Sequence, residues 1–340
     1  MLHITGLKLR PGEPESRLRD LAARELGQKP EGLQIVKASI DARKKGDVHW
    51  VYAVTCTCKN EAAALGRSRT GRVKLWQPKT WTFPDLAWRE DDPPVVVGAG
   101  PAGLFCALML ARAGAKPILL ERGRCVEQRM MDVARYRAGG ELLPNSNLQF
   151  GEGGAGTFSD GKLSTGVDDP RMGFLLRQFV AFGAPEDILY LSAPHVGTDK
   201  LRRVVRNLRL ELQRLGASVR FEHQLVGLDT AGDRVTGVLV QSPAGMYPIR
   251  TSKVCLAIGH SARDTVSALY DLGAPMEQKR FAVGVRVEHL QEEISRAQYA
   301  DAAALLPPAS YKLSCHLPGG RSAYSFCVCP GGTVMAAASE

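Results

Sequence analysis

The run VVVGAGPAGLFCALMLA, residues 95–111, constrains this chain more than any other segment. Three β-branched residues read as a buried strand, and the apolar stretch from Leu104 reads as a helix. Between them Gly98, Gly100 and Gly103 stand at G-x-G-x-x-G spacing. Each glycine has a task in a strand-turn-helix that meets a dinucleotide. Gly98 permits the tight turn, Gly100 lets the backbone approach a pyrophosphate, and Gly103 lets the helix pack close to the sheet. The N–H groups at the helix start then face the phosphates from the positive end of the helix dipole. One charge at such a terminus is worth about 0.3–1 kcal/mol, so affinity has to come from several N–H bonds together. A second strand, KPILL, ends in Glu121, 18 residues beyond Gly103. An acid there is placed to accept from ribose hydroxyls and repels a 2′-phosphate.

Dehydrogenases that use NAD share this loop, and three further features favour FAD. Arg124 and Arg129 follow Glu121 and Arg122 at a basic helix start, which brings a guanidinium towards the pyrophosphate. A second glycine-rich segment, Gly151 to Leu163, carries five glycines in eleven residues and demands unusual backbone or close approach to something flat. Finally, a helix over Leu201–Leu215 leads to a strand pair, Val219–Leu228 with Arg234–Val240, and then to an apolar strand that stops at Gly259-His260. A β-hairpin inserted before that strand is foreign to a simple NAD dehydrogenase.

On the quotes VVVGAGPAGLFCALMLARAG, LLERG, QFGEGGAGTFSDGKL, VCLAIGHSARDT and SFCVCPGG, the chain resembles the glutathione-reductase-type flavoproteins that bind FAD. It most closely resembles an uncharacterised bacterial FAD-dependent dehydrogenase family with an N-terminal α+β appendage. The resemblance implies an α/β fold: a doubly wound FAD/NAD(P)-binding domain with a β-rich insertion, preceded by a small α+β domain. It implies that Gly98, Gly100, Ala102 and Gly103 hold the pyrophosphate, Glu121 the adenosine ribose, and Arg122 and Arg129 the flanks of the phosphates. Leu225 would offer main-chain bonds to the adenine edge, Gly259 would let the backbone pass the cofactor, and Ser159, Asp160, Gly161 and Lys162 would lie near the isoalloxazine ring. The late Gly-Asp loop of such folds is missing before Glu340, so a chain lacking its C-terminal part is expected. No second G-x-G-x-x-G follows residue 161, so NAD(P)H would act as a transient electron donor at the flavin face.

The first 87 residues read as the small α+β unit. They hold a strand (Leu2–Leu9), a helix (Glu15–Leu26) and two strands (Gly32–Ile40, Val48–Cys58) joined by a basic hairpin tip. Residues 88–94, closed by two prolines, read as a linker; 95–275 as the FAD-binding domain; and 276–340 as the start of a substrate domain. A net charge of +9 admits anionic partners. Nucleic acid is a weak candidate, because the basic N-terminal residues lack interleaved aromatics. Eight cysteines are too few for a disulfide scaffold, no secretory signal opens the chain, and Leu104–Ala111 is far short of a membrane span. A reduced cytoplasmic protein is the economical expectation.

Cys56/Cys58 and Cys327/Cys329 are C-x-C pairs on β-like runs, without the C-x-x-C spacing or added ligands of a metal site, so no metal is expected. His260 and Arg263, just past a strand end, are weak catalytic candidates; the competing reading makes Ser261 the N-cap of the next helix. The activity expected is FAD-dependent oxidoreduction of a small molecule, with hydride moving through flavin N5. The alternatives are an FAD-dependent RNA-modifying enzyme and a non-catalytic flavin sensor.

Overall fold

The computed structural model describes residues 1–68, 71–78, 80–158, 161–163, 167–194, 196–334 and 336–339. The N-terminal unit runs β1 (Leu2–Leu9), α1 (Arg17–Leu26), β2 (Glu31–Asp41), β3 (His49–Thr57), α2 (Glu61–Arg67) and β4 (Val73–Leu75). Its sheet has the order β2-β3-β1-β4, with β1 antiparallel to both neighbours. Leu2, Ile4, Leu7 and Leu9 are all buried, although strict alternation would turn Leu7 and Leu9 outwards. The register shifts between Ile4 and Leu7, and Gly6 takes φ +74° there, so one extra residue restores the apolar face. Against that face α1 lays Leu18, Ala22 and Leu26, one turn apart, and Gly27 at φ 70° ends the helix. Cys56 and Cys58 belong to this core.

The linker is docked. Trp88 N–H donates to the Ala113 carbonyl at 2.7 Å, and Thr251 Oγ1 to the Pro93 carbonyl at 2.8 Å. Exposed pairs Arg250–Asp92 and Lys253–Glu90 add little by comparison.

The second unit continues with β5 (Val95–Val97), α3 (Pro101–Arg112), β6 (Ile118–Glu121), α4 (Val126–Arg137), α5 (Arg171–Ala181), α6 (Thr198–Arg214) and β7 (Ser218–Phe221). Then come β8 (Gln224–Ala231), β9 (Arg234–Ser242), β10 (Gly245–Arg250), β11 (Val254–Leu256) and α7 (Arg263–Asp271). A parallel sheet of order β11-β5-β6-β7 forms the middle layer. Because strand side chains alternate, Val96 and Leu119 face a helical layer with Leu104 and Leu108 of α3 and Val204 and Leu208 of α6. Val95, Val97, Ile118 and Leu120 face the other way, onto Leu225, Val238, Val240 and Ile249 of the antiparallel β8-β9-β10 layer. Burying each such side chain is worth about 1.5–3 kcal/mol, so both layers hold the three-residue strand β5 in place.

Two expectations about the insertion are corrected. The run Val219–Leu228 is two strands in two sheets, because Glu222 turns the chain at φ 59°. The hairpin is a three-stranded meander, with β10 on its edge, where Pro248 leaves no central-strand hydrogen bond unmade.

Beyond α7, residues 276–290 carry no regular structure, and α8 (Gln291–Tyr299), β12 (Ser314–His316) and β13 (Ser322–Tyr324) follow. Cys327 and Cys329 lie past β13, outside any strand. Among the described residues no helix is long and apolar enough to cross a membrane.

Candidate functional site

The carboxyl ends of β5, β6 and β11 meet at the β5–α3 turn. Gly98 takes φ +100°, and a Cβ on it would overlap the Ala257 carbonyl oxygen of the β11 strand end. A Cβ on Gly103 would overlap the Gly98 carbonyl oxygen. The fold itself therefore requires both glycines. Gly100 differs: its φ is −72°, and the nearest atom to a Cβ built there is Gly154 Cα at 3.9 Å. Neither backbone strain nor packing explains glycine at this position. Pro101 occupies N1 of α3, Ala102 is exposed, and the first-turn N–H groups of Ala102 and Gly103 have no intrahelical carbonyl to meet.

The second glycine-rich segment lies over the first. Gly153 N–H donates to the Ala99 carbonyl at 2.8 Å, and a Cβ on Gly154 would stand 3.2 Å from Gly100 Cα. Glu121 joins the two loops: Oε2 accepts from Ala99 N–H at 2.8 Å, and Oε1 from Gly123 N–H at 2.8 Å and Gly151 N–H at 3.0 Å. The carboxylate is buried, and burial is tolerable because three amides solvate it. Sequence reasoning aimed this carboxylate at a ribose; the structure gives it internal work.

Arg129 also has internal partners. Its side chain is 0% exposed. Nε donates to the Asn147 carbonyl at 2.8 Å, and Nη1 to the carbonyls of Gly151, Glu152 and Gly154 at 3.2, 2.8 and 2.9 Å. The guanidinium, with Phe158 beneath it at 4.7 Å, is the internal template on which the second loop is wound. Burial lowers its pKa to about 10. Beside it Glu152 is also fully buried; Oε2 accepts from Val126 N–H at 2.7 Å and lies 3.2 Å from Arg209 Nη1. Burial outweighs these partners and pushes the carboxyl up to about 7. Glu152 was not singled out from sequence, although a charged residue among five glycines was a signal that it is held by something specific.

Arg122 donates from Nη2 to both Asp264 oxygens at 2.8 and 2.7 Å, and lies over the Phe150 ring at 4.5 Å. Asp264 also accepts from Gln224 Nε2 at 2.7 Å, tying α7 to β8. On the Gln224 side a cleft of about 360 Å³ is lined by Arg122, Gly123, Arg124 and Glu222. On the Arg263 side a cleft of about 400 Å³ is lined by Gln149, His260, Ser261, Arg263 and residues 337–339. Both are in the size range of small-ligand sites.

His260 and Arg263 are exposed at the second cleft, and Gly259 takes φ +71° just before them. Ser261 does not cap α7: the N-cap residue is Ala262, and Ser261 Oγ instead meets Gln149 Oε1 at 3.2 Å. Leu225 is 3% exposed, with its side chain in the core. Gly161 takes φ +67° and its carbonyl accepts from Val196 N–H, while Lys162 reaches towards residues 327–329. Ser159 and Asp160 lie outside the described residues. Among the described residues no three His, Cys, Asp or Glu side chains converge on a metal position.

Residues 93–251 match the FAD binding domain family, and residues 280–340 match the family described as FAD-dependent protein, C-terminal domain-like. Residues 1–57 match a domain of unknown function. An uncharacterized protein of Clostridium beijerinckii is 43% identical over 312 residues, which are 91% of this chain and 58% of that protein. This chain therefore spans under two thirds of that relative's length. Among solved structures, THI4 of Thermovibrio ammonificans is 16% identical with a TM-score of 0.37, over 54% of this chain and 62% of that one. Glycine oxidase from Bacillus cereus is 13% identical with a TM-score of 0.34, over 54% and 59%. The cofactor of the second unit is FAD.

Proposed function

We propose that this chain is the FAD-binding part of an oxidoreductase acting on a small molecule, with the pyrophosphate of FAD seated on the β5–α3 turn. The observation that carries the reading is Gly100. The protein surrounds Gly98 and Gly103 with its own backbone at overlap distance, whereas among the described residues a Cβ on Gly100 would meet only Gly154 Cα, at 3.9 Å, next to first-turn amides that have no intrahelical acceptor. That is the shape left by a ligand that needs the backbone at van der Waals distance.

In this reading Gly98 and Gly103 fix the turn, and Gly100, Ala102 and Gly103 present backbone to the two phosphates. Glu121 contributes indirectly, by locking the glycine loops together through three amides. Arg129 holds the second loop from within. The cleft bounded by Arg122, Gly123 and Gln224, beyond the end of β6, receives the adenosine end, with Leu225 offering backbone. The Arg122–Asp264 pair marks the division between that cleft and the one at His260. At the second cleft Gly259 supplies a turn without a side chain, and His260 is placed to hold or deliver a proton.

Bound FAD supplies the electronics of hydride transfer at N5; the protein supplies position and exclusion of water. NAD(P)H is the proposed transient electron donor at the flavin face. A closer affinity to the glutathione-reductase type rests on the shared glycine loop and the segment that runs from β11 to Gly259, and the family match supports FAD binding itself.

The test is a visible spectrum of the FAD-loaded protein before and after anaerobic NAD(P)H. Bleaching of the flavin band within minutes supports a redox enzyme; a band unchanged over hours refutes the NAD(P)H-linked reading.

A further inference from the structure

Three thiols of this chain are exposed, those of Cys315, Cys327 and Cys329, and two of them form a pair. Cys327 Sγ and Cys329 Sγ stand 3.8 Å apart. Lys162, far away in sequence, brings its ammonium 3.5 Å from the first and 3.7 Å from the second, and donates to the Val328 carbonyl between them. We propose that Cys327 and Cys329, served by Lys162, form a redox dithiol that exchanges with low-molecular-weight disulfides.

The arrangement is held from both sides. The Lys162 backbone is fixed by its neighbours: Leu163 N–H donates to the Pro194 carbonyl at 3.1 Å, and Val196 N–H to the Gly161 carbonyl at 3.0 Å. Cys329 opens a tight turn, Cys329-Pro330-Gly331-Gly332, closed by Gly332 N–H to the Cys329 carbonyl at 3.0 Å. Proline at the second position and Gly331 at φ 71° suit a type II turn, and Gly331 N–H is anchored on Gln291 Oε1 at 2.8 Å. Burial pushes the Cys56 thiol up to about 11 and, with Cys255 beside it, the half-buried Cys106 thiol up to about 12. Among the described residues no third His, Cys, Asp or Glu joins the two thiols in a metal-binding group, and a dithiol of this kind suits exchange.

The chemistry balances within the named partners. One cysteine sulfur attacks a sulfur of R–S–S–R; the R–S–S–R bond breaks, and RS⁻ leaves with the electron pair and takes up the proton lost by the attacking thiol. The second cysteine then attacks the mixed disulfide and expels the second RSH. Two protein thiols are oxidised to one disulfide, and one small disulfide is reduced to two thiols. The Lys162 ammonium stands where charge develops on sulfur. A disulfide in the small C-x-C ring is strained, which places it among the readily reversed ones. None of this depends on FAD.

The test treats the reduced full chain with oxidised glutathione, followed by alkylation and peptide mass mapping. The expected result is a Cys327–Cys329 linkage in one peptide, while Cys315 retains a glutathione adduct. Cys327→Ser should trap the adduct on Cys329. Lys162→Met should slow the pair about fivefold, the factor a unit charge at about 4 Å supplies in water, and Lys162→Arg should restore the rate. Separate persistent adducts on Cys327 and Cys329 in the unaltered protein would overturn the proposal. So would oxidation that proceeds at the Cys315 rate and ignores Lys162→Met while far-UV circular dichroism shows an intact fold.

Discussion

Glu152→Gln should make the protein's stability less dependent on pH between 5 and 8, and the size follows from the burial of this side chain. In the folded chain the carboxyl is pushed up to about 7 by burial, against an ordinary value of 4.5. A raised folded value means that the group's contribution is fully present below pH 4.5 and is lost as pH rises through 7. Above that, the unfolded chain holds the charged form in water, while the folded chain must ionise it beside the second glycine loop. Between pH 5 and 8 the linkage amounts to about 2.5 kcal/mol, from the 1.36 kcal/mol that accompanies each pKa unit. Glutamine keeps the shape and the acceptor for Val126 N–H, and does not titrate. Urea unfolding at pH 5 and pH 8 measures the effect. The variant's stability relative to the unaltered protein should improve by about 2.5 kcal/mol on going from pH 5 to pH 8, whatever its offset at either pH. Parallel stability curves over that range would show that Arg209, 3.2 Å away, keeps Glu152 ionised throughout, and would refute the burial argument.

Other perturbations have distinct signatures. Arg129→Met should lower stability by about 3–5 kcal/mol in urea unfolding, because four backbone carbonyls lose a buried charged donor; a loss under 1 kcal/mol would mean that water replaces it. Gly103→Ala should destabilise by about 3 kcal/mol or more, since its Cβ meets the Gly98 carbonyl, and a melting temperature within a degree of the original would contradict that packing. Asp264→Asn should change stability by less than about 1 kcal/mol, because the Asp264 side chain is half open to solvent, while weakening FAD binding if Arg122 has to be held at the cleft; unchanged binding would remove Arg122 from the site.

How much of this was legible beforehand varied with the physics. Strands β1, β3 and β6 declared themselves as runs rich in apolar and β-branched residues, and the β5–α3 turn through its glycine spacing, all of which are local signals. The kink at Glu222 was hidden, because a non-glycine at positive φ leaves no compositional mark. Strand β10 was hidden by Pro248, which argues against a strand unless it lies at an edge. Arg129 and Glu121 were recognised as special, but their partners are backbone carbonyls and amides, which every residue carries and no sequence advertises. Spacing therefore located the two glycine loops, whereas the way Glu121 and Arg129 bind them together is a long-range fact. The same holds for Lys162, whose proximity to Cys327 and Cys329 spans 165 and 167 residues.

The central claim is that the space over Gly100 belongs to the FAD pyrophosphate, and FAD titration of Gly100→Ala, followed by flavin fluorescence beside a thermal melt, tests it most directly. The new Cβ clears the protein by 3.9 Å, so the melt should be unchanged while FAD affinity falls about tenfold or more. Full FAD affinity in a Gly100→Ala protein would contradict the claim and send the cofactor elsewhere on the molecule.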